Sequence, residues 1–149
     1  MIFDHVPILL IDDDDVDIIT VRKAFQKNEI TNPLYVTHDG EEALAFLRQA
    51  PPYEAAPVPG LILLDLNMPV MDGLTFMQTI KDDPQFNVIP IVVLTTSQDD
   101  VDMVESYRLG AAGYVTKPTE FDEFVETVRS FQHYWERNTP SPALPLDDE

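Results

Sequence analysis

Five short apolar runs punctuate the chain, at residues 6–11 (VPILLI), 34–37 (LYVT), 61–64 (LILL), 89–94 (IPIVVL) and 113–116 (GYVT). The runs at 61–64 and 6–11 read as buried strands, the former covered on both faces, and the other three as strands. Between them the apolar residues fall at helical spacing. Val16, Ile19, Ala24 and Phe25 can share much of one face, and Gly40 introduces Ala43, Leu44, Phe46 and Leu47. Leu74, Phe76, Met77 and Ile80 mark a third helix closed near Pro84, and Val101, Val104 and Leu109 are apolar positions of a fourth. Thr119 with Asp122 three residues on makes a capping-box-like start to a long last helix, from Glu120 to about Arg137, with Phe121, Phe124, Val125 and Val128 facing the core. Five strands alternating with five helices predict a three-layer α/β domain, a five-stranded parallel sheet joined by right-handed crossovers.

Two stretches stand outside this rhythm. Residues 51–59 (PPYEAAPVP) hold four prolines and predict an extended surface loop, because the strand after them resumes the alternation. Residues 139–149 (TPSPALPLDDE) predict a mobile tail, which leaves residues 1–138 as a single domain. Length agrees, since 149 residues with 44% hydrophobic content suffice for one real core. The absence of cysteine excludes a disulfide framework and a thiolate metal site. The N-terminus carries no basic leader, and its apolar run is too short for a signal peptide or a membrane span, so a cytoplasmic protein is expected. Nine basic against twenty-seven acidic residues give a net charge of -18, which repels nucleic acid and anionic membrane surfaces.

That negative charge is not spread evenly, because Asp12 to Asp15 are consecutive. Asp14, Asp15 and Asp17 lie near the positive end of the first helix and are assigned to capping it. Asp12 and Asp13 instead end the first strand, as Asp65 ends the third, Thr95 the fourth and Lys117 the fifth. A parallel sheet gathers all its carboxyl ends on one edge, where ligands bind. Two carboxylates about 5 Å apart repel by roughly 3 kcal/mol at an effective dielectric near 20, so a cation belongs among them. Oxygen ligands without His or Cys favour hydrated Mg2+. With Lys117 as a second positive charge, Asp65 stays ionised and nucleophilic. The set can receive a phosphoryl group in flight, with aspartyl phosphate as the product.

These residues, in this order and spacing, resemble the response-regulator receiver domains of two-component signalling, and the likeness covers nearly all of residues 6–130. It implies the flavodoxin-like strand order 2-1-3-4-5. It also implies Asp65 as the phosphoacceptor, Asp13 as a direct metal ligand, Asp12 as a ligand through water, and a metal-binding backbone carbonyl at Asn67. Thr95 and Tyr114 become the switch pair, Lys117 the phosphoryl-binding lysine, and Pro118 the second residue of a cis peptide. Thr119 departs from the pattern, since many receivers carry an aromatic there, and the proline-rich segment is longer than usual. That segment, the LTTS run, the QFNVIP spacer and the aromatic last helix are similar to single-domain regulators paired with cyanobacterial phytochrome kinases. A sensor histidine kinase is then the expected phosphodonor, and the signal leaves through protein contacts rather than an output domain.

Two other functions use parts of the same set. A haloacid-dehalogenase-type phosphatase also has an Asp nucleophile, magnesium, a hydroxyl and a lysine, and Asp12, Asp14 and Val16 mimic its DxDxV opening, but it needs an acidic pair on a strand after the lysine. A receiver-shaped binding module that never takes phosphate would have lost an acid, the Thr or the Lys, and this chain has lost none. The last helix further predicts a homodimer through the fourth and fifth helices and the strand between them. Its stripe continues past the core into Phe131 and Trp135, with Tyr134 beside it.

Overall fold

Apolar runs too short to alternate and too long to be turns are stable only where both faces are covered, and the three central strands meet that condition. The computed structural model describes residues 5–96, 99–117 and 120–138. Its elements are β1 (Ile8–Ile11), α1 (Asp15–Lys27), β2 (Leu34–Thr37), α2 (Gly40–Arg48), β3 (Leu61–Leu64), α3 (Gly73–Lys81), β4 (Ile91–Thr95), α4 (Asp100–Arg108), β5 (Gly113–Thr116) and α5 (Phe121–Asn138). All pairings are parallel, in the order β2-β1-β3-β4-β5. Both the three-layer class and the strand order are as expected.

Alternate residues of the strands feed two cores. Leu9, Ile11, Ile62 and Leu64 pack with Leu44, Phe46, Phe76 and Met77 of α2 and α3. Ile8, Leu10, Leu61 and Leu63 pack with Ile18, Val21 and Phe25 of α1 and with Phe124, Val125 and Val128 of α5. Four helices begin on an aspartate whose carboxylate accepts from exposed backbone N–H groups: Asp14, Asp39, Asp72 and Asp99. Much of the acidic excess is therefore spent on helix starts.

Several positions differ from the sequence reading. α1 buries Ile18, Val21, Ala24 and Phe25, while Val16 (70% exposed) and Ile19 (52%) face outward. α4 turns Val101 (72%) and Val104 (63%) to the outside and buries only Ser106, and Phe121 is exposed at the start of α5. β1 and β4 begin two residues later than their apolar runs. Pro90 has no N–H for the ladder, yet its carbonyl accepts from Ile62 at 3.0 Å and leads the chain into β4. Residues 51–59 form no helix or strand, as expected. The tail at 139–149, Pro118 and its peptide, Thr119, and the side chains of Phe131, Tyr134 and Trp135 lie outside the described residues. Among the described residues no helix is long and apolar enough to cross a membrane.

Register positions the site. Ile11 is level with both Thr37 and Leu64, so the next residues, Asp12 and Asp65, leave the sheet side by side. One further ladder bond holds each in place, from Asp12 N to Thr37 O and from Asp65 N to Ile11 O, both 3.0 Å. On the far side Lys117 N donates to Thr95 O at 2.7 Å, which carries the lysine off the edge beside β4.

Candidate functional site

Asp12 is fully buried, and both its oxygens are used: Oδ1 accepts from Asp14 N at 3.0 Å and Oδ2 from Lys117 Nζ at 2.7 Å. Lys117 comes from the end of the edge strand β5, three places from β1, with its side chain only 8% exposed. Its ammonium also donates to Asp17 Oδ2 at 2.9 Å and stands 3.8 Å from Asp65 Oδ2. One cation thus faces three carboxylates. Burial pulls the Lys117 ammonium down, but the hydrogen bonds to Asp12 and Asp17 and the charges of Asp12 and Asp65 outweigh it and hold the group above its ordinary value. Burial likewise pushes the Asp12 carboxyl above its ordinary value, against the bond from Lys117. The lysine is therefore charged at neutral pH.

Asp65 is buried at the end of β3, and its carboxylate receives the Asn67 N–H at 3.4 Å. The loop after it is closed by Gly73, whose N–H donates to Leu66 O at 2.9 Å. A Cβ on Gly73 would stand 2.6 Å from the Asp65 carbonyl oxygen and 2.7 Å from Leu66 Cα, so only glycine lets the start of α3 approach so closely. Exposed Asp13 and Asn67, close in the chain to Asp12 and Asp65, line a cleft of about 490 Å³ together with Met68, Asp72 and Asp102. Thr95 is buried at the end of β4. Half-buried Tyr114 on β5 packs against the α2/α3 core and lines a second cleft with Asp99, Met103 and Thr116.

The structure brings Asp12, Asp65 and Lys117 into one cluster, whereas Asp13 is not among the carboxylates gathered there and lines the cleft with Asn67. Asp17 corrects the sequence reading. Asp14 caps α1, accepting from Val16 N at 2.8 Å and Asp17 N at 3.3 Å, while the Asp17 carboxylate turns inward to Lys117. The available signal was redundancy: one acid suffices to cap a helix, so further first-turn acids needed another explanation.

Oxygens of Asp12, Asp17 and Asp65 lie within 4.8 Å of one another. All donors here are hard oxygens, so the residues fit a divalent cation of the magnesium or manganese kind.

Residues 8–129 match the family model of the response regulator receiver domain. The chain belongs to that family. Response regulator Rcp1 of Synechocystis sp. is 38% identical to this receiver domain over 136 residues, covering 91% of this chain and 92% of Rcp1. The crystal structure of the phosphorylated cyanobacterial phytochrome response regulator RcpA superposes with a TM-score of 0.86 at 35% identity, covering 93% of this chain and 99% of that one. The Mn2+-bound form of Rcp1 gives a TM-score of 0.84 at 37% identity, covering 93% and 99%. Receiver domains bind a divalent metal at an aspartate cluster, take their phosphoryl group from a histidine kinase, and are generally not dedicated enzymes.

Proposed function

We propose that Asp65 accepts a phosphoryl group from a phytochrome-type sensor histidine kinase and that the protein signals through a homodimer. The observation that carries the site is the Lys117 ammonium, held at 2.7 Å from Asp12 and 3.8 Å from Asp65 at the carboxyl edge of the sheet. A fixed cation beside a buried carboxylate supplies a counter-charge for the phosphoryl oxygens. In transfer, an Asp65 oxygen attacks phosphorus as the P–N bond of the donor phosphohistidine breaks. The bonding pair stays on the imidazole nitrogen, which takes a proton as it leaves.

The space among Asp12, Asp17 and Asp65 is taken by the ammonium, so a cation fits better on the side of the Asp13 cleft. There Asp13, Asp65 and the Asn67 carbonyl would hold Mg2+, with Asp12 acting through water. When bound, the ion supplies charge neutralisation for the transferring group. Thr95, buried at the end of β4, would donate to a phosphoryl oxygen, and its inward shift would open space for Tyr114 to turn in, relaying the state to the α4-β5-α5 face. The phytochrome pairing is supported by the likeness to RcpA, described as a phytochrome response regulator. The phosphatase alternative is disfavoured by the family match and because the chain enters α5 directly after the lysine segment, with no acidic strand following among the described residues.

The experiment is phosphotransfer from a purified, autophosphorylated phytochrome kinase in the presence of Mg2+, read by intact mass. One added phosphoryl group is expected on the wild-type chain, with none on Asp65→Asn and none in excess chelator. Equal labelling of Asp65→Asn removes the acceptor assignment, and labelling by unrelated kinases but not by a phytochrome kinase removes the pairing.

A further inference from the structure

Asp17, an acid of the first turn of α1, reaches the Lys117 ammonium. An ammonium has three hydrogens, and the two shortest contacts of Lys117 Nζ are to Asp12 at 2.7 Å and Asp17 at 2.9 Å, while Asp65 stands at 3.8 Å, beyond a hydrogen bond. The distances describe a cation held back from the proposed acceptor. Asp12 alone cannot do this, because its register neighbour is Asp65 itself and a lysine bonded only to Asp12 is free to swing onto the adjacent carboxylate. Asp17 approaches from a different element, the first turns of α1, and so fixes the direction of the ammonium as well as its charge.

We propose that Asp17 is a positioning residue for Lys117: it keeps the ammonium from closing onto Asp65 and aims the remaining N–H at the space a phosphoryl group enters. This rests on Asp65 being the acceptor. A contact ion pair between Lys117 and Asp65 would tie up the oxygen that attacks and would neutralise the carboxylate a divalent cation needs. The position of Asp17 at the rim suits the role. Its side chain is 31% exposed against 8% for the lysine, so Asp17 is solvated from outside while the cation it holds is not.

The test compares Asp17→Asn, Asp17→Glu and Asp15→Asn in the full chain. Asp15 is an exposed acid of the same first turn, so its neutral variant matches the loss of charge near the helix start. Two readouts are taken, and the first needs no phosphorylation. In the metal-free protein the 15N-resolved spectrum of the Lys117 ammonium should show a protected signal in the wild type and Asp15→Asn, a displaced or exchange-broadened one in Asp17→Asn, and recovery in Asp17→Glu. In the second, with acetyl phosphate as donor, the limiting labelling rate and the Mn2+ affinity, read by electron paramagnetic resonance, should fall about ten- to a hundredfold in Asp17→Asn. The half-saturating acetyl phosphate concentration should change little. An Asp17→Asn protein with the wild-type ammonium signal, or with rate and affinity equal to those of Asp15→Asn, overturns the proposal. A wild-type chain that takes no phosphoryl group while the ammonium signal still depends on Asp17 instead overturns the acceptor reading.

Discussion

Gly73 shows how tightly single residues set the acceptor's position. Its absent Cβ would contact the carbonyl oxygen of Asp65 and the Cα of Leu66, both backbone, so no side-chain rotation can relieve the clash. Gly73→Ala must push α3 away or push Asp65 out of line. We expect a loss of about 1–3 kcal/mol in urea unfolding, as for other overpacked sites, and slower labelling of Asp65 in the fraction that folds. Unchanged stability and labelling would show that the loop yields freely. The residues that end strands were legible in the sequence, because Asp12, Asp65, Thr95 and Lys117 each interrupt an apolar run, and a parallel sheet brings such interruptions to one edge. Asp17 was not. A first-turn acid reads as a cap, and its partner Lys117 lies a hundred residues away, brought near only by the crossing of α1 over the sheet.

At the scale of elements, the proline-rich loop is tied down by chemistry its composition does not advertise. Tyr53 ties the loop to α2: its ring lies 5.4 Å from that of Phe46, and its hydroxyl donates to the Glu42 carboxylate, which also receives the His38 N–H at 2.7 Å. Burial pushes Glu42 up, but the bonds from Tyr53 and His38 outweigh it and leave its carboxyl below the ordinary value, while the bond to Glu42 pushes the Tyr53 hydroxyl up to about 12. The signs follow. The raised hydroxyl contributes stability that is complete below its unfolded value near 10 and is lost as pH rises through about 12. The lowered carboxyl contributes stability that is present above the usual carboxylate range and is lost as pH falls through its depressed value. Tyr53→Phe should therefore cost about 1 kcal/mol at neutral pH, and the gap between the two urea midpoints should close between pH 10 and 12. A gap that persists unchanged to the alkaline limit would assign the effect to ring packing.

The helix faces were harder to read than the loop. α1 carries apolar residues at 16, 18, 19, 21, 24 and 25, enough for two overlapping stripes, and periodicity does not choose between them. The choice is made by where Asp14 starts the helix and by the inward turn of Asp17, which bring Ile18, Val21 and Phe25 onto the sheet. α4 misled for a different reason. Its apolar residues face away from the core, so their pattern reports a surface rather than an interior.

That outward face of α4 bears on the whole molecule. Val101, Val104 and Tyr107 are each at least half exposed, on a helix next to the edge strand β5. α5 has eighteen residues, about 27 Å at 1.5 Å per residue, whereas the four residues of β5 cover only about 13 Å. Its last turns therefore overhang the sheet, and there the sequence places Phe131, Tyr134 and Trp135. The exposed apolar residues of α4 together with the aromatic end of α5 form the surface we propose a second copy of this chain covers. Charge opposes that pairing, since each copy carries -18, and exposed charges are screened over about 10 Å at 0.1 M salt. Association driven by apolar contact against such repulsion should strengthen as salt is raised, whereas one held by surface ion pairs should weaken. Sedimentation equilibrium at low and high salt decides the driving force, and Val104→Asp with Phe131→Ser and Trp135→Ser decides the surface. We expect a wild-type dimer that tightens with salt and a triple variant that stays monomeric with its circular dichroism intact. A dimer that survives all three substitutions moves the interface elsewhere, and a wild-type chain monomeric at high concentration and high salt, phosphorylated or not, removes it.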